Sequence, residues 1–174
     1  PTGPADAARR TIGLDPGQRF VALTGPLDAA VRVDLLATAH RRVAGAGLLV
    51  IGTGAHDPLV AAMSASTRPS SPVLHIPALD LEARRIAVQA ADLALSLDPR
   101  GVGEDALLAA ALGRRVLALP APGLERLDAL YPGYDACLRA EPSSEGLRAG
   151  IEQGLELVRR AGPLPGPAVQ AARR

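Results

Sequence analysis

The stretch RFVALTGPLDAAVRVDLLATAHRRVAGAGLLVIGTG, residues 19–54, decides the architecture. It opens on an apolar run of strand character at 20–24 and breaks at Gly25 and Pro26. It then passes into a segment where Val31, Leu35, Leu36 and Ala39 recur at helical spacing. Gly45 marks the stop, and a second apolar run at 48–51 ends in Gly52, Thr53 and Gly54. Strand, glycine turn, amphipathic helix and strand in succession make a βα unit that feeds a parallel sheet. Asp28 is the expected cap of the helix, which the spacing predicts as far as Val43.

The pattern continues outward from this unit. Apolar runs at 73–76, 93–97, 116–119 and, with a weaker signal, 136–138 complete a set of six candidate strands. Between them, Asp57 followed by Pro58 reads as a cap with proline in the first helical turn. Asp80 caps a segment to Ala91 whose stripe is Leu81, Ile86, Val88 and Ala90, and 104–112 is a short, nearly all-apolar helix stopped by Gly113. Ser144 starts a last long helix through Leu147, Ile151, Leu155 and Val158, closed by Gly162 and Pro163. The expected fold is therefore α/β, a doubly wound, Rossmann-like parallel sheet of about six strands in a single lobe. Residues 1–17 read as a lead-in linker with a short helix around 5–12, residues 18–162 as the domain, and 163–174 as a Pro-rich tail.

Composition narrows the function classes. At 174 residues and 48% apolar, the chain is the size of one domain with material for a real core. Nineteen basic against eighteen acidic residues leave a net charge of +1, which does not suggest a nucleic-acid partner. The single Cys137 and the three His fall in no metal-ligand spacing, so no metal is expected. No apolar run is long enough for a transmembrane segment and the N-terminus lacks a secretory pattern, so a cytoplasmic location is the expectation. Every basic residue is Arg, which removes lysine chemistry. The chain begins at Pro1 rather than Met and is expected to be cut from something longer.

In an open α/β sheet, ligands bind where the strands end at their carboxyl side. Four of those loops carry glycine: Gly25, then Gly52 with Gly54, then Gly101 with Gly103, then Gly123. None completes a dinucleotide fingerprint or a Walker A loop. The loop Arg100-Gly101-Val102-Gly103 leads directly into a helix, whose free N–H groups and dipole suit a phosphate; equally, its glycines serve to shape a tight turn. Glu104 and Asp105 in the first helical turn are favoured by the dipole and would repel a phosphate. His40 reads as a solvated helix residue, Cys137 as buried filler, and the Arg pairs at 84–85 and 114–115 as helix-face or turn charges.

The order of segments from 8 to 160 resembles the C-terminal, donor-binding lobe of GT-B type glycosyltransferases of the group 1 (family 4) kind. Arg9-Arg10-Thr11-Ile12-Gly13-Leu14 looks like the lead-in to that lobe, and Val21-Ala22-Leu23-Thr24-Gly25-Pro26-Leu27-Asp28 like its first strand and loop. Leu49-Val50-Ile51-Gly52-Thr53-Gly54, Ala90-Ala91-Asp92-Leu93 and Leu112-Gly113-Arg114-Arg115-Val116 follow in the family's succession. The departures are specific. Pro26 and Val31 stand where the family has an Arg and a Lys for the donor diphosphate, with Arg32 the nearest substitute. Arg100 and Leu108 stand where it has two glutamates, one near the sugar and one on the nucleotide ribose.

The resemblance implies a sugar-nucleotide-binding lobe. The donor, a nucleotide-diphosphate sugar, would lie on Gly25, Arg32, Arg100, Gly101, Val102, Gly103 and Glu104, with no cofactor and no assignable catalytic residue. An N-terminal acceptor-binding lobe is implied in the full-length chain, and the isolated chain is expected to transfer no sugar. Two other readings stay open. One is a non-catalytic glycosyltransferase-like module used for protein interaction or regulation, and the other is an unrelated nucleotide-binding domain of different strand order.

Overall fold

The computed structural model describes residues 4–77, 80–132 and 134–165. Its strands are β1 (Arg19–Thr24), β2 (Ala46–Ile51), β3 (Val73–Ile76), β4 (Leu93–Ser96), β5 (Arg115–Ala118) and β6 (Cys137–Arg139). They form one sheet in the order β3-β2-β1-β4-β5-β6, with every neighbouring pair parallel. Each apolar run read from the sequence became a strand, its ends displaced by no more than two residues. The helices are α1 (Pro4–Thr11), α2 (Val33–His40), α3 (Asp57–Ala65), α4 (Leu81–Ala90), α5 (Glu104–Ala111), α6 (Leu124–Leu130) and α7 (Ser144–Ala161).

Both faces of the sheet are buried, as an all-parallel sheet requires. Val21 and Leu23 of β1, Leu93 and Leu95 of β4 and Leu117 of β5 face the layer of α2, α3 and α7. The alternate residues Phe20, Ala22, Ala94, Val116 and Ala118 face α1, α4, α5 and α6, which answer with Ala8, Ala87, Ala106, Ala109 and Ala110. The second layer is thus built largely from alanine, so its helices lie close to the sheet. On the first face, α7 gains the same closeness through Gly150 and Gly154, where an added Cβ would stand 2.9 Å from Leu117 and 2.8 Å from Leu93.

Several local expectations need correction. The helix after β1 begins at Val33, not at Asp28, because Asp28 Oδ1 accepts the Ala30 N–H inside a turn. The Arg32 N–H, at the N-cap, is drawn to the Leu97 carbonyl at 3.1 Å. His40 is buried, with Nε2 3.1 Å from the Ala46 carbonyl, and burial pushes its pKa down. Arg114 and Arg115 are also buried: Arg114 Nη1 donates to the Ala91 carbonyl at 3.1 Å and Arg115 Nε to the Asp135 carbonyl at 3.1 Å. α6 was not foreseen, since Pro120, Pro122 and Gly123 masked its start, yet Leu124 and Leu127 bury an apolar stripe. Of the Pro-rich tail, Leu164 is buried with its N–H on the Gly113 carbonyl, and 166–174 lie outside the described residues. Among the described residues no helix is long and apolar enough to cross a membrane.

The expected N-terminal helix packs on α4 through Ala8 and is tied to it by the polar contacts of Arg9. Arg9 is 4% exposed; its Nε donates to the Ala90 carbonyl at 2.8 Å and its Nη2 to Asp92 Oδ2 at 2.6 Å. The same carboxylate oxygen accepts the Phe20 N–H at 2.9 Å, and the guanidinium lies over the Phe20 ring. α1, the end of α4 and the start of β1 are therefore tied at one point. Arg9→Ala strands a part-buried carboxylate and a carbonyl, and urea denaturation is expected to register a loss of about 2–4 kcal/mol. Arg10→Ala, on the exposed side of the same helix, is expected to stay within about 0.5 kcal/mol. Equal effects of the two substitutions would contradict this account.

Candidate functional site

The strand order reverses direction between β1 and β4. β1 continues into α2 on one face of the sheet and β4 into α5 on the other, so the loops above these two strands diverge. The space they leave is a cleft of about 330 Å³, floored by the ends of β1 and β4. Residues 24–26, 95–98 and 103–106 line it, with Arg84 reaching in from α4. A second cavity of about 340 Å³ adjoins it over β2 and shares Gly25, Pro26 and Arg84.

The glycine loops divide into two roles. Gly52 has φ +132°, and a Cβ there would stand 2.0 Å from the Gly25 carbonyl oxygen. Gly52 and Gly54 therefore allow the β2 loop to press on the β1 loop, where Leu27 N–H donates to the Thr53 carbonyl at 2.9 Å. Asp57, expected as a helix cap, instead accepts the Gly54 N–H at 2.9 Å and stands as the first residue of α3. His75 Nε2 holds the same loop, 2.8 Å from the Gly52 carbonyl. Gly103 differs, since no other group crowds it and no side chain caps the first turn of α5 at the cleft.

Of the residues singled out from the sequence, Gly25, Gly103 and Glu104 come together on the cleft lining. The other four lie beside it. Val102 packs its side chain among the apolar residues under α5 and gives its N–H to the Pro122 carbonyl at 3.2 Å. Gly101 is in the same turn, its N–H 3.4 Å from the Asp98 carbonyl. Arg32 is held bidentately by Asp34, at 2.9 and 2.8 Å. Arg100 bridges two loops: Nη2 donates to Asp28 Oδ2 after β1 and to Asp98 Oδ2 after β4, both at 2.6 Å. Both cations assigned to a phosphate are thus engaged with carboxylates.

Arg84, read from sequence as a helix-face charge, is the cation on the cleft. Its Nη1 donates to Asp105 Oδ1 at 3.1 Å, and its Nε is buried with no hydrogen-bond partner among the described residues. Asp98, Glu104 and Asp105 line the cleft against this one guanidinium. Among the described residues no group of His, Cys, Asp and Glu is placed to hold a metal ion. A much smaller cavity of about 30 Å³ at the opposite edge is walled by Ser66, Thr67 and Ser71. Their hydroxyls are already bonded to backbone carbonyls.

The Arg100 guanidinium holds Asp28 and Asp98 below the ordinary carboxylate pKa of 3.8, through its hydrogen bonds first and its charge second. A carboxylate with a depressed folded-state pKa stabilises the fold above its unfolded pKa and loses that contribution as pH falls through the folded value. The loop-to-loop bridge is therefore expected to persist from pH 7 down through about pH 4 and to open only as the pH falls through the depressed folded values, below 3.8. In a carboxyl NMR titration, Arg100→Gln is expected to raise both pKa values to the ordinary range. Unchanged titration of Asp28 in that variant would refute the bridge.

With the geometry in place, comparison with known proteins is informative. No family model and no curated protein matches the sequence. Solved structures do match. Sucrose-phosphate synthase of Thermosynechococcus elongatus superposes with a TM-score of 0.71 at 20% identity, over 90% of this chain and 41% of its own. HepE of Anabaena, crystallised with UDP-glucose, superposes with a TM-score of 0.68 at 17% identity, over 92% of this chain and 45% of its own. The chain thus spans less than half the length of these two proteins. The C-terminal domain of a group 1 glycosyltransferase, LpcC, from Francisella tularensis gives a TM-score of 0.65 at 14% identity, over 92% of this chain and 94% of that domain. The chain has the fold of the C-terminal lobe of GT-B glycosyltransferases.

Proposed function

We propose that this chain is the sugar-nucleotide-binding lobe of a glycosyltransferase, taking a nucleotide-diphosphate sugar into the cleft above β1 and β4. One observation carries the reading: the reversal of strand order, a cleft in the carboxyl edge and the uncapped N-terminus of α5 coincide. Open α/β sheets bind ligands at that point, and backbone N–H groups at a helix start accept phosphate oxygens without a dedicated side chain. HepE, which shares the fold, was crystallised with UDP-glucose. The acceptor would be presented by a second lobe, N-terminal in the full-length chain, and the 174 residues alone are expected to transfer no sugar.

A second reading, a non-catalytic module with the same fold, is favoured by the Asp28–Arg100–Asp98 bridge and by the surplus of carboxylates on the lining. The two readings part on binding. Under the first, amide NMR titration with UDP-glucose, GDP-mannose and ADP-glucose is expected to move residues 24–26, 96–98 and 103–106 with one of the three donors. With backbone contacts in place of the family's cations and glutamates, the Kd is expected to be weaker than about 1 μM. Silence at these residues with all three donors, or shifts confined to 66–73 at the opposite edge, would leave the module as the surviving reading.

Leu108 offers a sharper test. It lies one turn beyond Glu104 on α5, half-buried and outside both apolar layers, so a carboxylate there is tolerable. The resemblance places a ribose-binding glutamate at this position. Leu108→Glu is expected to tighten the best donor by about tenfold, the worth of one charge-assisted hydrogen bond. Arg100→Glu is expected to do the reverse, because it sets a third carboxylate between Asp28 and Asp98. Calorimetry showing unchanged or weaker binding in a folded Leu108→Glu would remove the family alignment at that position.

A further inference from the structure

The cleft poses an electrostatic problem that its residues answer in one place. Arg32 makes two carboxylate contacts, to Asp34 at 2.8 and 2.9 Å, and Arg100 makes four, to Asp28 and Asp98 at 2.6–3.2 Å. Charge-assisted, bidentate pairs of this kind do not readily give up their cation to an incoming anion. Arg84 is held differently. It makes a single contact to Asp105, at 3.1 Å, and its Nε has no partner among the described residues although solvent does not reach it. A guanidinium carries five N–H donors in a planar fork, and among the described residues Arg84 gives only one of them to a protein group.

Its position matters as much as its bonding. Arg84 is the guanidinium common to both cavities, beside Gly25, whose missing Cβ leaves room for Asp105. A Cβ on Gly25 would stand 2.9 Å from Asp105 Oδ2. The Arg84–Asp105 pair thus spans from α4 to α5 across the β1 loop, where the two cavities meet.

We infer that Arg84 is the side chain that holds the diphosphate of a nucleotide ligand, and that Asp105 is its resident counter-anion, which the diphosphate replaces on binding. The inference rests on the nucleotide-sugar reading and names a residue that reading does not require. A guanidinium fork fits adjacent phosphate oxygens, and replacing one anion by another keeps Arg84 paired in both states. Asp105 then acts against the ligand twice, by occupying Arg84 and by repelling phosphate. Removing its charge is therefore expected to strengthen binding, which no purely structural role of the pair predicts.

The test is calorimetry of UDP, GDP, ADP and inorganic pyrophosphate on the full chain and three variants, each checked for folding by circular dichroism. Arg84→Gln is expected to weaken the bound nucleotide and pyrophosphate by about tenfold or more, and Asp105→Asn to tighten both by a similar factor. Arg85→Gln, on the next residue and paired with Glu82 on the surface, is expected to change neither. If a nucleoside diphosphate binds but Arg84→Gln leaves its Kd unchanged, or Arg85→Gln matches its effect, Arg84 is not the phosphate ligand and the nucleotide reading stands. If Arg84→Gln fails to fold, Asp105→Asn decides alone: tighter binding supports the inference, and unchanged or weaker binding overturns it. If no nucleoside diphosphate binds the wild-type chain, the nucleotide reading falls and the inference with it.

Discussion

The parallel pairing of β1 with β4, registered from Val21 on Leu93 to Leu23 on Leu95, is the contact on which the rest of the molecule depends. Strands joined through helices can extend a sheet on either side of the first strand. This chain does both, laying β2 and β3 to one side and β4, β5 and β6 to the other. Because each strand leads into a helix on one face or the other, the two strands at the reversal send their loops apart. The cleft is the geometric remainder of that divergence. No side chain has to be removed to create it, and a substitution within it need not disturb the core beneath.

Charge then decides what the cleft can accept. The chain is nearly neutral as a whole, yet its ions are not evenly spent. Several surface arginines pair within one helix, as Arg148 does with Glu145 and Glu152, and Arg159 and Arg160 with Glu156. Such exposed pairs contribute little to stability. Around the cleft the pairs cross between elements: Arg100 joins the loops after β1 and β4, and Arg84 joins α4 to α5. The first pairing stiffens the rim and withdraws a cation from use. The second leaves at the centre a cation with a single carboxylate contact among the described residues. A site that has lost the loop cations implied by its resemblance can therefore still offer positive charge, from a helix rather than from the loop.

Much of the fold was legible because it is written in local periods. Four of the six apolar runs of strand length ended directly on glycine or proline, and all six became strands. Asp80 capped α4 by accepting the Ala83 N–H, as its position before an apolar stripe implied. The errors at Asp28, His40, Arg114 and Arg115 have one cause. Asp28 looked like a helix cap but was taken into a turn, and the N–H of Arg32 just beyond it is claimed by Leu97, far along the chain. His40, Arg114 and Arg115 looked solvated because their types usually are, yet each is buried against a backbone carbonyl that another element supplies.

The candidate site divides along the same line. Sequence alone determined the alternation of strand and helix, the glycine-bearing loops at the carboxyl edge and the apolar layers on both faces, because these follow from spacing within about ten residues. Only the tertiary structure decided which arginine faces the cleft. Arg32, Arg84 and Arg100 are alike as local sequence, each charged and near a carboxylate. What separates them is a partner at a distance: Asp28 reaches Arg100 across 72 residues and Asp105 reaches Arg84 across 21. Electrostatic pairing acts through space rather than along the chain, so the state of each cation was fixed only when the β1 and β4 loops were brought face to face.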